Sequence, residues 1–123
     1  MPSMKVAVVG VGHIGNVVVA CLVEQGHRVV CFDTNRPRML AVASGVATVK
    51  EPGVAQRLAA GRAAGRLSAA EDECGLVDAD ILIVCVGSAL QAAGAFDQSH
   101  LLLAAQTIGK AVVKRSRELP PIM

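Results

Sequence analysis

Three glycines stand at a fixed spacing directly after a short apolar run near the N-terminus. The run is Lys5–Val9, and the next segment reads Gly10-Val-Gly12-His-Ile-Gly15. In such a segment the first glycine permits a tight turn, the second lets backbone approach a ligand, and the third lets a helix pack on the strand. The helix that begins here would present free backbone N–H groups and a partial positive charge. The spacing predicts a strand–loop–helix unit with a phosphate-binding loop.

Apolar runs alternate with segments of helical spacing along the rest of the chain. Helices are predicted over 14–25, from a cap at Thr34 or Asn35 to about 43, over 52–64 and over 101–108, with one or two turns over 71–77. Strands are predicted over 5–9, 28–32, 47–49, 81–86 and 111–114. The strand runs are apolar throughout rather than alternating, which is typical of parallel strands covered on both faces. We therefore predict an α/β fold with a Rossmann-like, doubly wound, mostly parallel sheet of about five or six strands.

An acidic residue follows the glycines at the distance that a dinucleotide site requires. Asp33 lies 18 residues after Gly15, at the end of the second predicted strand. A carboxylate there accepts hydrogen bonds from the hydroxyls of an adenosine ribose. It would repel a 2′-phosphate, which favours NAD over NADP, whereas Arg36 and Arg38 are able to accommodate that phosphate. Asp33 has an alternative role as the cap of the next helix, which Thr34 and Asn35 can also fill.

These residues define a candidate cofactor site. His13 has the chemistry of a general base, but the sequence offers it no partner, and we interpret it as a loop side chain at the mouth of the site. The candidates in this part of the chain are Gly10, Gly12, His13, Ile14, Gly15, Asp33, Thr34 and Arg38. We expect residues 1–114 to form the dinucleotide-binding domain and 115–123, with Pro120-Pro121, to form an irregular tail.

Composition argues against several other classes of function. The net charge is only +2, and the chain has two Phe but no Trp or Tyr, so nucleic-acid binding is not expected. No apolar run is long enough to cross a membrane, and the N-terminus does not resemble a signal peptide. The four cysteines lack metal-ligand spacing, so we predict no metal site and reduced, mostly buried cysteines of a cytoplasmic protein.

Further motifs indicate which family of dinucleotide-binding proteins the chain resembles. Glu51-Pro-Gly53 precedes a predicted helix and Gly65-Arg-Leu67 follows it; then come Ala79-Asp-Ile-Leu-Ile-Val-Cys-Val86 and Gly94-Ala-Phe-Asp-Gln-Ser99. In this order, from about residue 4 to 113, the motifs resemble the N-terminal domain of the UDP-glucose/GDP-mannose dehydrogenase family. The Glu-Pro-Gly is the most specific of them, because many dinucleotide-binding folds share the others.

The resemblance implies a cofactor and a reaction. In that family this domain holds NAD for the two-step oxidation of a nucleotide sugar's primary alcohol to a uronic acid. Gly10, Gly12, Gly15 and Asp33 match the family's cofactor residues. The family's Pro-Thr-Pro after the fourth strand is Gly87-Ser-Ala89 here, and Ser88 keeps the hydroxyl that faces the cofactor. Val86, Gly87 and Ser88 therefore join the candidate cofactor residues.

The end of the chain departs from the family pattern. The family continues into a Ser-Thr-Val-Pro-Pro-Gly-like stretch whose Thr assists at the active site, and that Thr is missing from 115–123. The family's catalytic Cys and sugar-binding domain lie beyond this point. We therefore assign no catalytic residue and expect the chain alone to bind NAD without turnover. A nucleotide sugar would bind only if the missing half were supplied.

Three hypotheses are open at this point. The first is the NAD-binding part of a nucleotide-sugar dehydrogenase. The second is a stand-alone nucleotide-sensing module like those of potassium channels and transporters, which share the glycines and the acid but lack the Glu-Pro-Gly helix. The third is a remnant that keeps the fold and binds no ligand, suggested by the altered 87–89 loop. Apolar surface left uncovered by the missing half also predicts a homodimer.

Overall fold

The structure, a computed structural model, describes residues 3–86, 89–90, 96–97, 99–113 and 122 of the 123-residue chain. Its helices are α1 (His13–Glu24), α2 (Arg36–Ala43), α3 (Val54–Ala63) and α4 (Ser99–Val113), with a 3₁₀ turn over Glu73–Leu76. Its strands are β1 (Lys5–Val9), β2 (Arg28–Phe32), β3 (Leu67–Ala69), β4 (Ile81–Val84), β5 (Ala89–Leu90) and β6 (Phe96–Asp97).

Four of the strands form a parallel sheet in the order β3-β2-β1-β4. β1 is central: Val8 lies opposite Cys31 of β2 on one side and opposite Ile83 of β4 on the other. β5 and β6 form a separate antiparallel pair. The predicted α/β fold with a parallel sheet is confirmed. The predicted count of five or six strands in that sheet is wrong for the described residues, which place four strands in it.

Alternate residues of β1 are buried on opposite faces of the sheet, as its uninterrupted apolar run predicts. Val6 and Val8 belong to a core that includes side chains of α1, α2 and α3. Ala7 and Val9 belong to a second core that includes Ala104, Ile108 and Ala111 of α4. The sheet is therefore covered on both faces, and its strands all end at the same edge.

Two predicted strands are wrong. Residues 47–49 form no strand; the backbone and side chain of Thr48 bond instead to the side chain of Asn16 on α1. The third strand of the sheet is β3, whose three residues pair with β2. Residues 111–113 continue α4, because Ala111 extends the buried helical stripe of Ala104 and Ile108.

The cysteines differ in part from the expectation of burial. None of the four is in a disulfide; Cys31 is buried and Cys85 half-buried, but Cys21 and Cys74 are exposed. Burial raises the pKa of the Cys31 thiol to about 12. Among the described residues, no group of three or more His, Cys, Asp or Glu side chains is placed to hold a metal ion. None of the described helices is long and apolar enough to cross a membrane.

Candidate functional site

Two of the three loop glycines are required by packing. Gly10 has a φ of +97°, and a Cβ on it would lie 2.8 Å from the backbone carbonyl carbon of Cys85. A Cβ on Gly15 would lie 2.1 Å from the carbonyl oxygen of Gly10. Real Cβ atoms do not come that close to other heavy atoms, so no side chain fits at either position. These glycines let α1 and β4 close around the turn.

Gly12 is different because packing leaves space beside it. A Cβ there would meet nothing nearer than Nη1 of Arg38, 3.9 Å away. Gly12 is also the N-cap of α1, and no side chain caps this helix end. The helix terminus therefore presents uncapped backbone N–H groups across an open surface. That combination fits an anionic group such as a pyrophosphate, held by backbone donors and the helix dipole.

Asp33 connects the end of β2 to the glycine loop. Its carboxylate accepts hydrogen bonds from the backbone N–H of Val11 at 2.8 Å and of Asn35 at 2.8 Å, and from Nη2 of Arg38 at 2.9 Å. Only 5% of its side chain is exposed. A carboxylate has about four acceptor positions, so these three bonds leave capacity for one further donor. The alternative role of Asp33 as a helix cap is wrong: Asn35 caps α2 by accepting from the N–H of Arg38.

His13 and Arg38 flank the loop. Nε2 of His13 lies 2.8 Å from Oε1 of Glu51, in the Glu-Pro-Gly segment. The expectation that His13 has no partner is therefore wrong, while its place at the mouth of the site agrees with the structure. Arg38 is half-buried against Asp33, and its Nε is buried with no hydrogen-bond partner among the described residues. Both side chains thus face a carboxylate beside the helix terminus.

A cavity of about 560 Å³ opens at the carboxyl ends of β1, β2 and β4. This volume lies within the usual range for cofactor sites. The cavity lies where the strand order reverses between β1 and β4, which is where open parallel sheets bind ligands. The predicted residues that line it are Gly10, Gly12, His13, Ile14, Asp33, Thr34, Arg38 and Val86. Gly15 lies in the packing behind the loop, and Gly87 and Ser88 lie outside the described residues.

Sequence reasoning missed several lining residues. The position of Phe32 at the end of β2 could have predicted that it lines the cavity. The lining residues of α4 could not be predicted, because their place depends on tertiary packing; they are Leu103, Ala104 and Thr107. Cys85 also lines the cavity, and burial raises the pKa of its thiol. The thiol is thus held in its neutral form, which is a poor nucleophile.

Most of the chain matches a known protein family. Residues 4–117 match the model of the UDP-glucose/GDP-mannose dehydrogenase family, NAD binding domain. The chain belongs to this family. The match confirms the resemblance inferred from the sequence motifs and identifies NAD as the cofactor of the domain. It favours the first of the three hypotheses and gives no support to a sensing module or a ligand-free remnant.

Relatives and solved structures agree with the family match. The chain is 30% identical over 114 residues to GDP-mannose 6-dehydrogenase of Pseudomonas aeruginosa, covering 92% of this chain and 26% of that protein. It is 33% identical over 107 residues to UDP-glucose 6-dehydrogenase TuaD of Bacillus subtilis, covering 86% and 23%. A ternary complex of GDP-mannose dehydrogenase from Pseudomonas aeruginosa superposes with a TM-score of 0.87 at 30% identity, over 93% of this chain and 26% of that one. The chain thus spans about a quarter of the length of these relatives.

Proposed function

We propose that the cavity binds NAD with the pyrophosphate on the glycine loop, at Gly10, Gly12 and the first turn of α1. The observation that carries this proposal is the open space at Gly12 over an uncapped helix terminus. Packing explains glycine at positions 10 and 15, but it does not explain glycine at position 12. A ligand that needs close approach to the backbone does explain it. His13 and Ile14 contribute backbone N–H groups at this terminus.

The adenosine end of the cofactor would lie at the end of β2. There the remaining acceptor capacity of Asp33 is available to a ribose hydroxyl, with Thr34 and Arg38 beside it. The buried negative charge disfavours a 2′-phosphate, which supports NAD over NADP. The nicotinamide end would extend along β4 toward Val86, Gly87 and Ser88. Gly87 and Ser88 stand in place of the start of the family's Pro-Thr-Pro motif, and Ser88 keeps its hydroxyl.

We further propose that this domain supplies NAD to the oxidation of a nucleotide sugar's primary alcohol. The bound NAD would accept hydride in that reaction. Support comes from the relatives, which are named as 6-dehydrogenases of GDP-mannose and of UDP-glucose. Because the chain spans about a quarter of their length, we propose that it needs the remaining part for sugar binding and catalysis and is inactive alone. We propose that the protein is in the cytoplasm, where cysteines outside disulfides and NAD are both expected.

Two statements about the extent and assembly of the domain also remain proposals. We propose a domain over 1–114 and a tail over 115–123. We propose a homodimer as well, supported by three consecutive exposed leucines on α4, Leu101, Leu102 and Leu103. Sedimentation velocity at increasing concentration tests the dimer, and a single monomeric species at all concentrations contradicts it.

The cofactor proposal is tested by titrating the protein with NADH and following the fluorescence of the reduced cofactor. The chain has no Trp or Tyr, so the protein background is low. Wild type should show saturable binding. Gly12→Ala places a methyl group in the open space over the helix terminus, and we expect it to weaken NADH binding at least about tenfold by blocking a charge-assisted hydrogen bond.

Gly109→Ala is the matched control. It makes the same change in α4, where a Cβ would meet nothing within 4 Å. Both variants should remain folded, and Gly109→Ala should bind NADH like wild type. The proposal fails if wild type shows no binding at millimolar NADH, or if Gly12→Ala binds as tightly as wild type.

A further inference from the structure

One buried polar side chain in the first helix is unexplained by the cofactor contacts described above. Asn16 lies on α1 with 0% of its surface exposed, among apolar neighbours. Burying an amide is costly unless its hydrogen bonds are made. The structure makes them all. The two N–H groups of Nδ2 are shared among the carbonyl oxygens of Val11 at 2.7 Å and Gly12 at 2.9 Å and Oγ1 of Thr48 at 3.0 Å, and Oδ1 accepts from the N–H of Thr48 at 3.1 Å.

Of these bonds, only the one to the Val11 carbonyl fixes a backbone group that the hydrogen bonds of α1 do not already hold. The Gly12 carbonyl also accepts from the backbone N–H of Asn16, so it is already fixed by the first bond of α1. The Val11 carbonyl precedes the helix. Meanwhile the N–H of Val11 is held by the Asp33 carboxylate. The backbone of Val11 is therefore held at both ends by buried side chains, Asp33 at its N–H and Asn16 at its C=O.

The planarity of the peptide bond links the direction of the Val11 carbonyl to the direction of the Gly12 N–H. In a planar trans peptide, the C=O of one residue and the N–H of the next point in opposite directions. With the Val11 carbonyl turned inward to Asn16, the Gly12 N–H points away from Asn16. Gly12 itself lines the cavity. Within the described part of the chain no protein group accepts this N–H. It is left available to a ligand.

We propose that Asn16 is a positioning residue for the phosphate loop: its amide holds the Val11 carbonyl inward and so aims the Gly12 N–H at the bound pyrophosphate. This inference rests on the proposed NAD site. Thr48 supports it from the other side, because its N–H binds Oδ1 and thereby turns Nδ2, the only donor of the side chain, toward the loop. A side chain of similar size without donors would fill the same volume but would leave the 11–12 peptide free to rotate.

The test separates positioning from stability. Asn16→Leu removes the amide and keeps the approximate volume; Asn16→Asp keeps an acceptor for the Thr48 N–H but has no N–H to offer Val11. Thr48→Val is the control, since it removes one partner of Asn16 and leaves the bonds to the loop. NADH titrations and thermal melts are measured on all of them. We expect the Kd for NADH to rise about tenfold or more in the Asn16 variants and to stay within twofold of wild type in Thr48→Val.

An amide NMR measurement on the wild-type protein keeps the proposal testable if the Asn16 variants do not fold. The Gly12 amide signal should move when NADH binds. The proposal is overturned if that signal does not move, if a folded Asn16 variant binds NADH like wild type, or if Thr48→Val weakens binding as much as Asn16→Leu. Absence of NADH binding by the wild type would instead overturn the proposed function, and this inference with it.

Discussion

The contact between α1 and the glycine loop yields a direct prediction for Gly15→Ala. The new Cβ would lie 2.1 Å from the Gly10 carbonyl oxygen and 2.9 Å from its carbonyl carbon. Both are backbone atoms of a residue whose φ of +97° already fixes a tight turn. Neither atom belongs to a flexible side chain that could move aside. The helix, the loop or both must shift by roughly an ångström to relieve the overlap.

The size of the effect follows from two opposing terms. Overpacking against backbone belongs at the upper end of its usual range, about 3 kcal/mol. Alanine is a better helix residue than glycine by about 1 kcal/mol. The net loss of unfolding free energy is therefore about 2 kcal/mol. For a domain of this size that lowers the melting temperature by about 6 to 8 °C.

Thermal melts followed by circular dichroism measure this loss. Gly109→Ala, on a helix position with no atom within 4 Å of the new Cβ, should instead raise the melting temperature, because only the helix propensity changes. A Gly15→Ala protein as stable as wild type would contradict this prediction, since α1 would then not be packed on the loop as the structure has it. The same substitution at two glycines should thus change stability in opposite directions.

Three further predictions concern the thiols and the cofactor. Because burial raises the pKa of Cys31 from 9.0 to about 12, its thiol ionises first in the unfolded chain. The free energy of unfolding should therefore fall as pH rises from about 9 toward 12, by up to about 1.4 kcal/mol per pH unit. Urea denaturation should show a shallower fall for Cys31→Ala, and equal slopes would contradict the assignment. Ellman's reagent should modify the exposed Cys21 and Cys74 rapidly and Cys31 only after unfolding, while NAD should slow the modification of the cavity residue Cys85. Mass spectrometry measures the modification at each cysteine, and fast labelling of Cys31 in the folded protein would argue against its burial. NADH should bind more tightly than NADPH. Arg38→Ala should weaken the binding of NADPH more than that of NADH, because it removes the cation 2.9 Å from Asp33. Parallel fluorescence titrations test this prediction, and a greater loss of affinity for NADH would contradict it.

The local pattern of apolar residues predicts the secondary structure of the first half of the fold. The predicted spans of β1 and β2 agree with the structure, and α1 and α2 agree within a few residues. These elements combine strong periodicity with clear boundaries, such as Gly26 after α1 and Pro37 in the first turn of α2. The order of glycines, strand and acid in this half also placed most of the candidate cofactor residues around one cavity.

The errors came where short segments depend on tertiary partners. Residues 47–49 have β-branched character, but Thr48 is held by a side chain 32 positions away. β3 is only three residues long and contains Ser68, so its pattern alone is weak, and its pairing with β2 decides its structure. Val112 and Val113 favour a strand by propensity, yet burial of Ala111 keeps them in α4. In each case long-range contacts outweighed local preference.

Two parts of the candidate site lay beyond reach of the sequence for the same reason. Asn16 stands in an otherwise apolar helical stripe, so helical periodicity does not predict that its side chain bonds to the glycine loop. The His13–Glu51 pair joins the first residue of α1 to the segment before α3, 38 positions away, at 2.8 Å, and no spacing rule predicts it. Both depend on how the segment between α2 and α3 packs against the N-terminus of α1.

The proposed NAD site is tested most directly by a structure of the protein crystallised with NAD. We expect the pyrophosphate at the N-terminus of α1, within hydrogen-bond distance of the Gly12 N–H, and the adenosine ribose beside the Asp33 carboxylate. We also expect the Val11 carbonyl to keep its bond to Asn16 in the complex. NAD bound elsewhere on the molecule, or bound here with its pyrophosphate away from the glycine loop, would contradict the proposed site.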